Sequence, residues 1–141
     1  MKRDMPERGA RTVLAFDFGL KRIGVAVGEP ELRSAHPLPA VSRFDEIQSL
    51  IIEWKPGRLV VGLPLSAGGD PHAMTRQAED FARRLERRFK LPVARVDERF
   101  SSVEAQSRLR GSRGRKSGAT KGEIDSVAAQ LLLEQYFDEA A

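Results

Sequence analysis

The chain has 141 residues, enough for one domain with a substantial core and too few for two ordinary ones. Its 40% hydrophobic and 31% charged residues are globular values that exclude wholesale disorder, and no apolar run approaches the roughly 20 residues that span a bilayer. Zero cysteines exclude disulfides and thiolate chemistry and make the cytoplasm the expected location, while a net charge of +4 and a pI of 9.8 point to an anionic partner.

Residues 1–11 open with MKRDMPERGA, which is charged and has no apolar segment behind it resembling a signal peptide, so a flexible tail is expected before a single domain over 12–138. Strands are predicted over Thr12–Phe18 and Arg22–Gly28, joined by a short Gly-containing link that signals a hairpin. A third strand is expected over Leu38–Val41, hemmed by Pro37 and Pro39 and therefore suited to an edge. Ile47, Leu50, Ile51 and Trp54 give a helical face over Asp45–Trp54, and the near-continuous apolar run RLVVGLPL then reads as a strand buried on both sides. After the loop SAGGDP, a helix is predicted from Pro71 to Lys90, with Met74, Ala78, Phe81, Ala82, Leu85 and Phe89 on its apolar stripe. LPVARVDE is the fifth strand. Ser101 with Glu104, and Thr120 with Glu123, form capping boxes for two more helices, the last running to about Asp138 with Ile124, Val127, Ala128 and Leu131 as its core face. Between them, residues 110–119 lack an apolar anchor and are expected to be mobile. Short links make the first three strands antiparallel and helical crossovers make the later ones parallel, an α/β five-stranded mixed sheet flanked by helices.

The positive charge is concentrated. Arg83–Lys121 holds thirteen Lys/Arg against Glu86, Asp97, Glu98 and Glu104, a local excess of nine that leaves the rest of the chain net acidic. Such a region is a footprint for phosphate-rich ligands or, in the blander reading, a solvated surface. Its contact candidates are Arg84, Arg87 and Arg88, which lie off the apolar stripe, and the segment Arg113, Arg115 and Lys116.

Asp17 sits inside the apolar run LAFDFGLKRIGVAV, where a carboxylate is either a hydrogen-bonded turn residue or a group facing something that stabilises it. Glu98 closes the last strand, and Asp125 flanks the core face of the final helix. All three occupy chain positions that can converge on the strands' carboxyl edge, where open α/β sheets place ligands. Three carboxylates brought together repel one another, and a divalent cation resolves the repulsion; hard oxygen donors suit Mg²⁺ or Mn²⁺. His36 and His72 lack metal-ligand spacing and read as loop residues, which disfavours zinc.

The stretches FDFGLKRIGVAVG, VVGLPLSAGGD, DERFSSVEA and KGEIDSVAAQLLLEQY, in this order, resemble the pre-16S rRNA nucleases, also described as Holliday-junction-resolvase-like (YqgF-type) proteins of the ribonuclease H-like superfamily. The resemblance covers the chain from Leu14 to Tyr136. It implies a ribonuclease H-like fold and metal-dependent phosphodiester cleavage, with Asp17, Glu98 and Asp125 as the catalytic, metal-holding acids. Many members of the wider superfamily carry a fourth acid, often on the strand beside the first; here that strand ends in Gly62, Leu63 and Pro64. Asp97 is a possible substitute that strand alternation turns away from Glu98, so the number of ions stays open.

Around the acids, Lys21 and Arg22 either hold a phosphate or are solvated, and Arg99 pairs with Glu98 or with substrate. Ser66, Gly68 and Gly69 offer hydroxyl and backbone N–H donors to phosphate. Gly62 and Pro64 make a turn or permit close backbone approach to a phosphate, while Gly19 and Gly24 read as conformational. A sugar-kinase or actin-type ATPase lobe shares the phosphate-gripping hairpin, but ATP is held between two such lobes. A catalytically silent RNA-binding module is the other rival. Between precursor rRNA and branched DNA as nucleic-acid partner, the sequence favours rRNA: a junction resolvase needs a symmetric dimer, and no clear dimer surface is visible, so monomer and homodimer both stay open.

Overall fold

Among the described residues, 12–65, 68, 72–97 and 126–140 of a computed structural model, the elements run β1 (Val13–Asp17), β2 (Ile23–Glu29), β3 (Ser34–Val41), α1 (Phe44–Trp54), β4 (Arg58–Leu63), α2 (Ala73–Phe89), β5 (Val93–Asp97) and α3 (Val127–Ala140). The sheet order is β3-β2-β1-β4-β5. β1–β2 and β2–β3 are antiparallel, as their short connections require, and β1–β4 and β4–β5 are parallel across helical crossovers. The expected mixed five-stranded sheet is present.

Strand alternation divides the core in two. Leu14, Phe16, Val25, Val27, Leu59 and Val61 face α1 and α2, packing on Ile47, Phe81, Ala82 and Leu85. Val13, Ala15, Ala26, Val60 and Val96 face α3 and meet Ala129, Leu132, Leu133 and Phe137. Helices on both faces explain why β1 and β4 read as continuous apolar runs rather than alternating ones. Gly28 lets α3 close onto the sheet: a Cβ there would collide with the Ser34 carbonyl and press on Leu133 and Phe137.

Three details differ from expectation. β3 begins at Ser34, not Leu38, because on an edge strand the missing N–H groups of Pro37 and Pro39 cost no ladder bond on the open side. His36 therefore lies within β3, opposite Val27, rather than in a loop. α2 starts at Ala73, with His72 as its N-cap: the His72 Nδ1 accepts from the Met74 N–H, and Thr75 Oγ1 accepts from the His72 N–H while donating to the Pro64 carbonyl. The sheet-facing stripe of α3 is Ala129, Leu132, Leu133 and Phe137, whereas Val127 and Ala128 are only half-buried; Leu131 is buried as expected. VAAQLLLEQYF is apolar on most sides, so periodicity alone does not choose its face; the small residues Ala15, Ala26 and Gly28 beneath it do. The N-terminal tail, the helix predicted from Ser101, the 110–119 loop and the start of the last predicted helix lie outside the described residues. No described helix is long and apolar enough to cross a membrane.

Candidate active site

Asp17 is the last residue of β1, and alternation from Val13 and Ala15 places it on the α3 face of the sheet. Its partner on β2 is Gly24. On the other side Phe16 pairs with Val61, so the next residues, Asp17 and Gly62, are neighbours, and Gly62 in turn pairs with Val96. The half-buried carboxylate is thus flanked on both adjoining strands by residues without side chains. Gly62 lies inside β4, not in a turn, so the turn reading for it falls away.

The head of α3 is fastened next to this row. Ser126, fully buried, accepts through Oγ from the Val25 N–H at 2.8 Å, one residue from Gly24. The bond falls where the β2–β3 register shifts between Ile23 and Val25. Such irregularities leave a backbone group without its ladder partner, and here a side chain from 101 positions away supplies one. Farther along α3, Gln130 Nε2 donates to the Ala35 carbonyl at 3.1 Å. Ser126→Ala would leave a buried N–H unsatisfied, and it is expected to lower stability by about 1–3 kcal/mol, read from urea denaturation. An unchanged midpoint would show that the bond contributes nothing net. Sequence reasoning passed over Ser126; its only signal is a small hydroxyl residue beside Asp125 at the head of an apolar stretch.

The other expected site residues are distributed unevenly. Glu98, Asp125, Ser66, Gly69, Arg99, Arg113, Arg115 and Lys116 lie outside the described residues. Lys21 and Arg22 are exposed on the β1–β2 turn, which is tight: a Cβ on Gly19 would lie 2.5 Å from the Arg22 carbonyl oxygen. Gly68 is an exposed turn residue. Arg84, Arg87 and Arg88 sit exposed on α2, which packs on the sheet face opposite to Asp17. They line a hollow of about 530 Å³ with Phe44, Asp45 and Gln48 of α1. The Arg84 guanidinium lies 3.9 Å over the Phe44 ring, and Arg88 donates to Gln48 Oε1 at 2.7 Å.

Two of the acids of α2, Glu79 and Glu86, are engaged on the side facing β5. Arg95 of β5 reaches Glu79 at 2.9 Å and Glu86 at 2.6 Å, while Arg83 also pairs with Glu79. Hydrogen bonds from Arg95, followed by its charge, hold both carboxyls below their ordinary range. A carboxyl lowered in the folded state adds stability that is complete above its unfolded pKa and is lost as pH falls through the lowered value. Arg95→Met is expected to cost about 1–2 kcal/mol at neutral pH, discounted for the partial exposure of the pairs, and to flatten the acid limb of the stability profile. Thermal melts of both proteins from neutral to acid pH check this; parallel acid limbs would contradict it.

The fold and the chain as a whole have counterparts in known proteins. A family model described as "RuvX: Holliday junction resolvase" matches residues 11–139. A relative from Dechloromonas aromatica named "Putative pre-16S rRNA nuclease" is 54% identical over 133 residues, covering 90% of each chain. One of the same name from Nitrosomonas europaea is 49% identical and covers 96% of this chain and 95% of its own. Among solved structures, Thermus thermophilus RuvC aligns with a TM-score of 0.56 at 15% identity, covering 92% of this chain and 95% of that one. Its complex with a Holliday junction substrate aligns with the same score. At that identity the likeness shows the fold, which is ribonuclease H-like. With a matching model across nearly its whole length and relatives close to half identical, the chain belongs to the RuvX family of Holliday-junction-resolvase-like, pre-16S rRNA nucleases.

Proposed function

We propose that this protein is a divalent-metal-dependent nuclease that hydrolyses phosphodiester bonds in the 5′-end maturation of precursor 16S rRNA in the cytoplasm. The observation that carries the site is the row Gly24–Asp17–Gly62, a carboxylate at the carboxyl edge of the sheet with no side chain on either flank. Hard carboxylate oxygens fit Mg²⁺ or Mn²⁺. Asp17, with Glu98 and Asp125 carried over from the family motifs, would hold the ion. When bound, such an ion lowers the pKa of water and stabilises a leaving oxygen in phosphoryl displacement.

The chain's own groups do the rest. Asp17 supplies fixed negative charge at the site. The tether from Ser126 to Val25 fastens the head of α3, one peptide bond from Asp125, to the strand beside Asp17. Lys21 and Arg22, exposed on the turn that follows Asp17, would neutralise phosphates, with Arg99 and the Ser66, Gly68 and Gly69 donors supplying further anion contacts. Arg84, Arg87 and Arg88, and the Arg113, Arg115 and Lys116 segment, contribute sequence-independent attraction to the backbone. Cutting one strand at one place requires no symmetric pair of sites, so a monomer suffices, and a homodimer is compatible.

A second reading, resolution of branched DNA, is favoured by the description of the family model and by the RuvC-like fold. The deciding experiment is a side-by-side cleavage panel with purified protein, Mg²⁺ or Mn²⁺, a 5′-extended 16S rRNA transcript and a synthetic four-way junction. Specific cutting of the transcript alone is expected. Cutting of the junction alone would replace the first reading with the second, and cutting of neither would return the protein to an RNA-binding module.

A further inference from the structure

The β1–β2 turn carries an unexplained feature. Leu20, three residues after Asp17, is 71% exposed, although the chain could place any polar residue at a turn tip. It rims a hollow of about 270 Å³ floored by Phe18 and Phe81, whose rings lie 5.1 Å apart at 37°. Arg84 stands at the edge of this hollow and also at the edge of the larger basic one, so the two adjoin. Arg84 is the wall they share, and we take the two together as one groove. It has an apolar end beside the residue that follows Asp17, a guanidinium in the middle, and Arg87 and Arg88 at the far end.

The charge of the groove is available for a ligand. Glu79 and Glu86 of the same helix are taken by Arg95 on the side facing β5. Among the described residues Arg84, Arg87 and Arg88 form no ion pair: one lies over an aromatic ring, and another donates to an amide. Asp45 and Asp80 are the acids on the rims, against three arginines. An apolar pocket alternating with cations is the chemistry that recognises single-stranded nucleic acid, whose unstacked bases offer flat apolar faces between phosphates. A duplex keeps those faces stacked inside and presents its backbone, its 2′-hydroxyls and the edges of its bases instead.

We propose that this groove holds an unpaired RNA segment flanking the cut site, with one base seated against Leu20 and Phe18 and the adjoining phosphates on Arg84, Arg87 and Arg88. The inference rests on the nuclease reading and adds to it a substrate feature: the protein engages RNA where a single strand leaves the structured end. It also explains why three arginines on the face opposite Asp17 belong to the same reaction. The strand reaches them by passing over the β1–β2 turn at the sheet edge.

The test is binding of a fluorescently labelled oligoribonucleotide, free and annealed to its complement, to the full chain in chelator, read by anisotropy. Leu20 is exposed and Arg84 lies on the helix surface, so Leu20→Ser and Arg84→Glu leave the core intact. Leu20→Ser is expected to weaken single-strand binding about fivefold while leaving duplex binding unchanged. Arg84→Glu should weaken it about tenfold and reduce the slope of log K against log salt by about 0.7. Arg58→Glu, an exposed charge at the opposite edge of the sheet, is the control and should bind as the parent does. Equal affinity of parent and Leu20→Ser for the single strand, or equal losses on both substrates, would overturn the groove, as would an Arg84→Glu variant that binds normally, the result expected if the groove served a protein partner. A parent protein that cuts no RNA would instead overturn the nuclease reading, whatever the binding results.

Discussion

Asp17→Asn is expected to lower metal-dependent cleavage by at least about 10²-fold, by analogy with other lost electrostatic stabilisers of a transition state. The amide keeps the size and shape of the side chain and can replace most hydrogen bonds that a turn carboxylate would make, so a merely structural Asp17 would tolerate it. The flanking Gly24 and Gly62 present no side chain for the new NH₂ group to clash with. Folding should not suffer. If Glu98 and Asp125 share the site with Asp17 as proposed, removing one negative charge relieves repulsion in the metal-free protein, so the melting temperature in chelator should be equal or slightly higher. RNA binding through the arginines of α2 should stay near normal. Rate measurements with the 5′-extended transcript, a thermal melt in chelator and an anisotropy titration decide the matter together. An active variant, or one inactive because it unfolds, would remove the support for Asp17 as a catalytic residue.

Why is the place of Asp17 at the end of β1 legible in the sequence when the surroundings of that position are not? An acid within an apolar run violates the local pattern, and the hairpin and crossover signals on either side fix which strand it ends. Its two glycine neighbours depend on strand register. Gly24 could be placed opposite Asp17 only by counting through the turn, and Gly62 only by knowing how β4 pairs across a crossover. Ser126 escaped notice for a related reason: its partner lies 101 residues away, and a small hydroxyl residue at a helix start usually reads as a cap. The α3 face is only partly legible, Leu131 being buried as expected and Val127 and Ala128 half-buried, because a helix that is apolar on most sides carries little phase information. The edge position of β3 is legible from Pro37 and Pro39, but its start at Ser34 is not, because nothing in the sequence shows that pairing with β2 continues past Pro37 to Ala35 and Ser34. The basic helix was legible as charge but not as geometry. That Arg84 touches two hollows, and that Arg95 neutralises the acids beside it, follow from packing α2 between α1 and β5.

The division of labour across the sheet has a consequence for mutational analysis. The α3 face carries Asp17 and the tether at Ser126, while the α2 face carries the exposed arginines and the apolar hollow. Changes on the first face should alter turnover with little effect on RNA affinity in chelator. Changes on the second should alter affinity and its salt dependence, and should lower cleavage mainly at subsaturating RNA.

Replacing the activating ion is expected to separate binding from cutting even more sharply than replacing Asp17. In excess chelator, cleavage of the transcript should fall to background, because carboxylates alone offer no electrophile for a phosphate oxygen. Restoring Mg²⁺ or Mn²⁺ should restore it, since both accept a compact octahedral shell of hard oxygen ligands. Ca²⁺ should not. Its ligands sit at about 2.3–2.6 Å, against about 2.0–2.1 Å for Mg²⁺, and its coordination is looser and more numerous. The reacting atoms would then be held too far apart and in a less defined arrangement, at a cost of about 10²-fold or more, comparable to misplacement of a reacting group by about 1 Å. RNA affinity in Ca²⁺ should match that in Mg²⁺, because either divalent ion neutralises the repulsion between the site carboxylates and the RNA phosphates. A gel assay of cleavage in each ion, run beside anisotropy titrations with the uncleaved transcript, reads both quantities from one preparation. Robust cleavage in excess chelator would contradict a metal-dependent mechanism outright. Cleavage in Ca²⁺ at the Mg²⁺ rate would show that the geometry of the ion's shell does not limit the reaction, and that Asp17 contributes charge rather than placement.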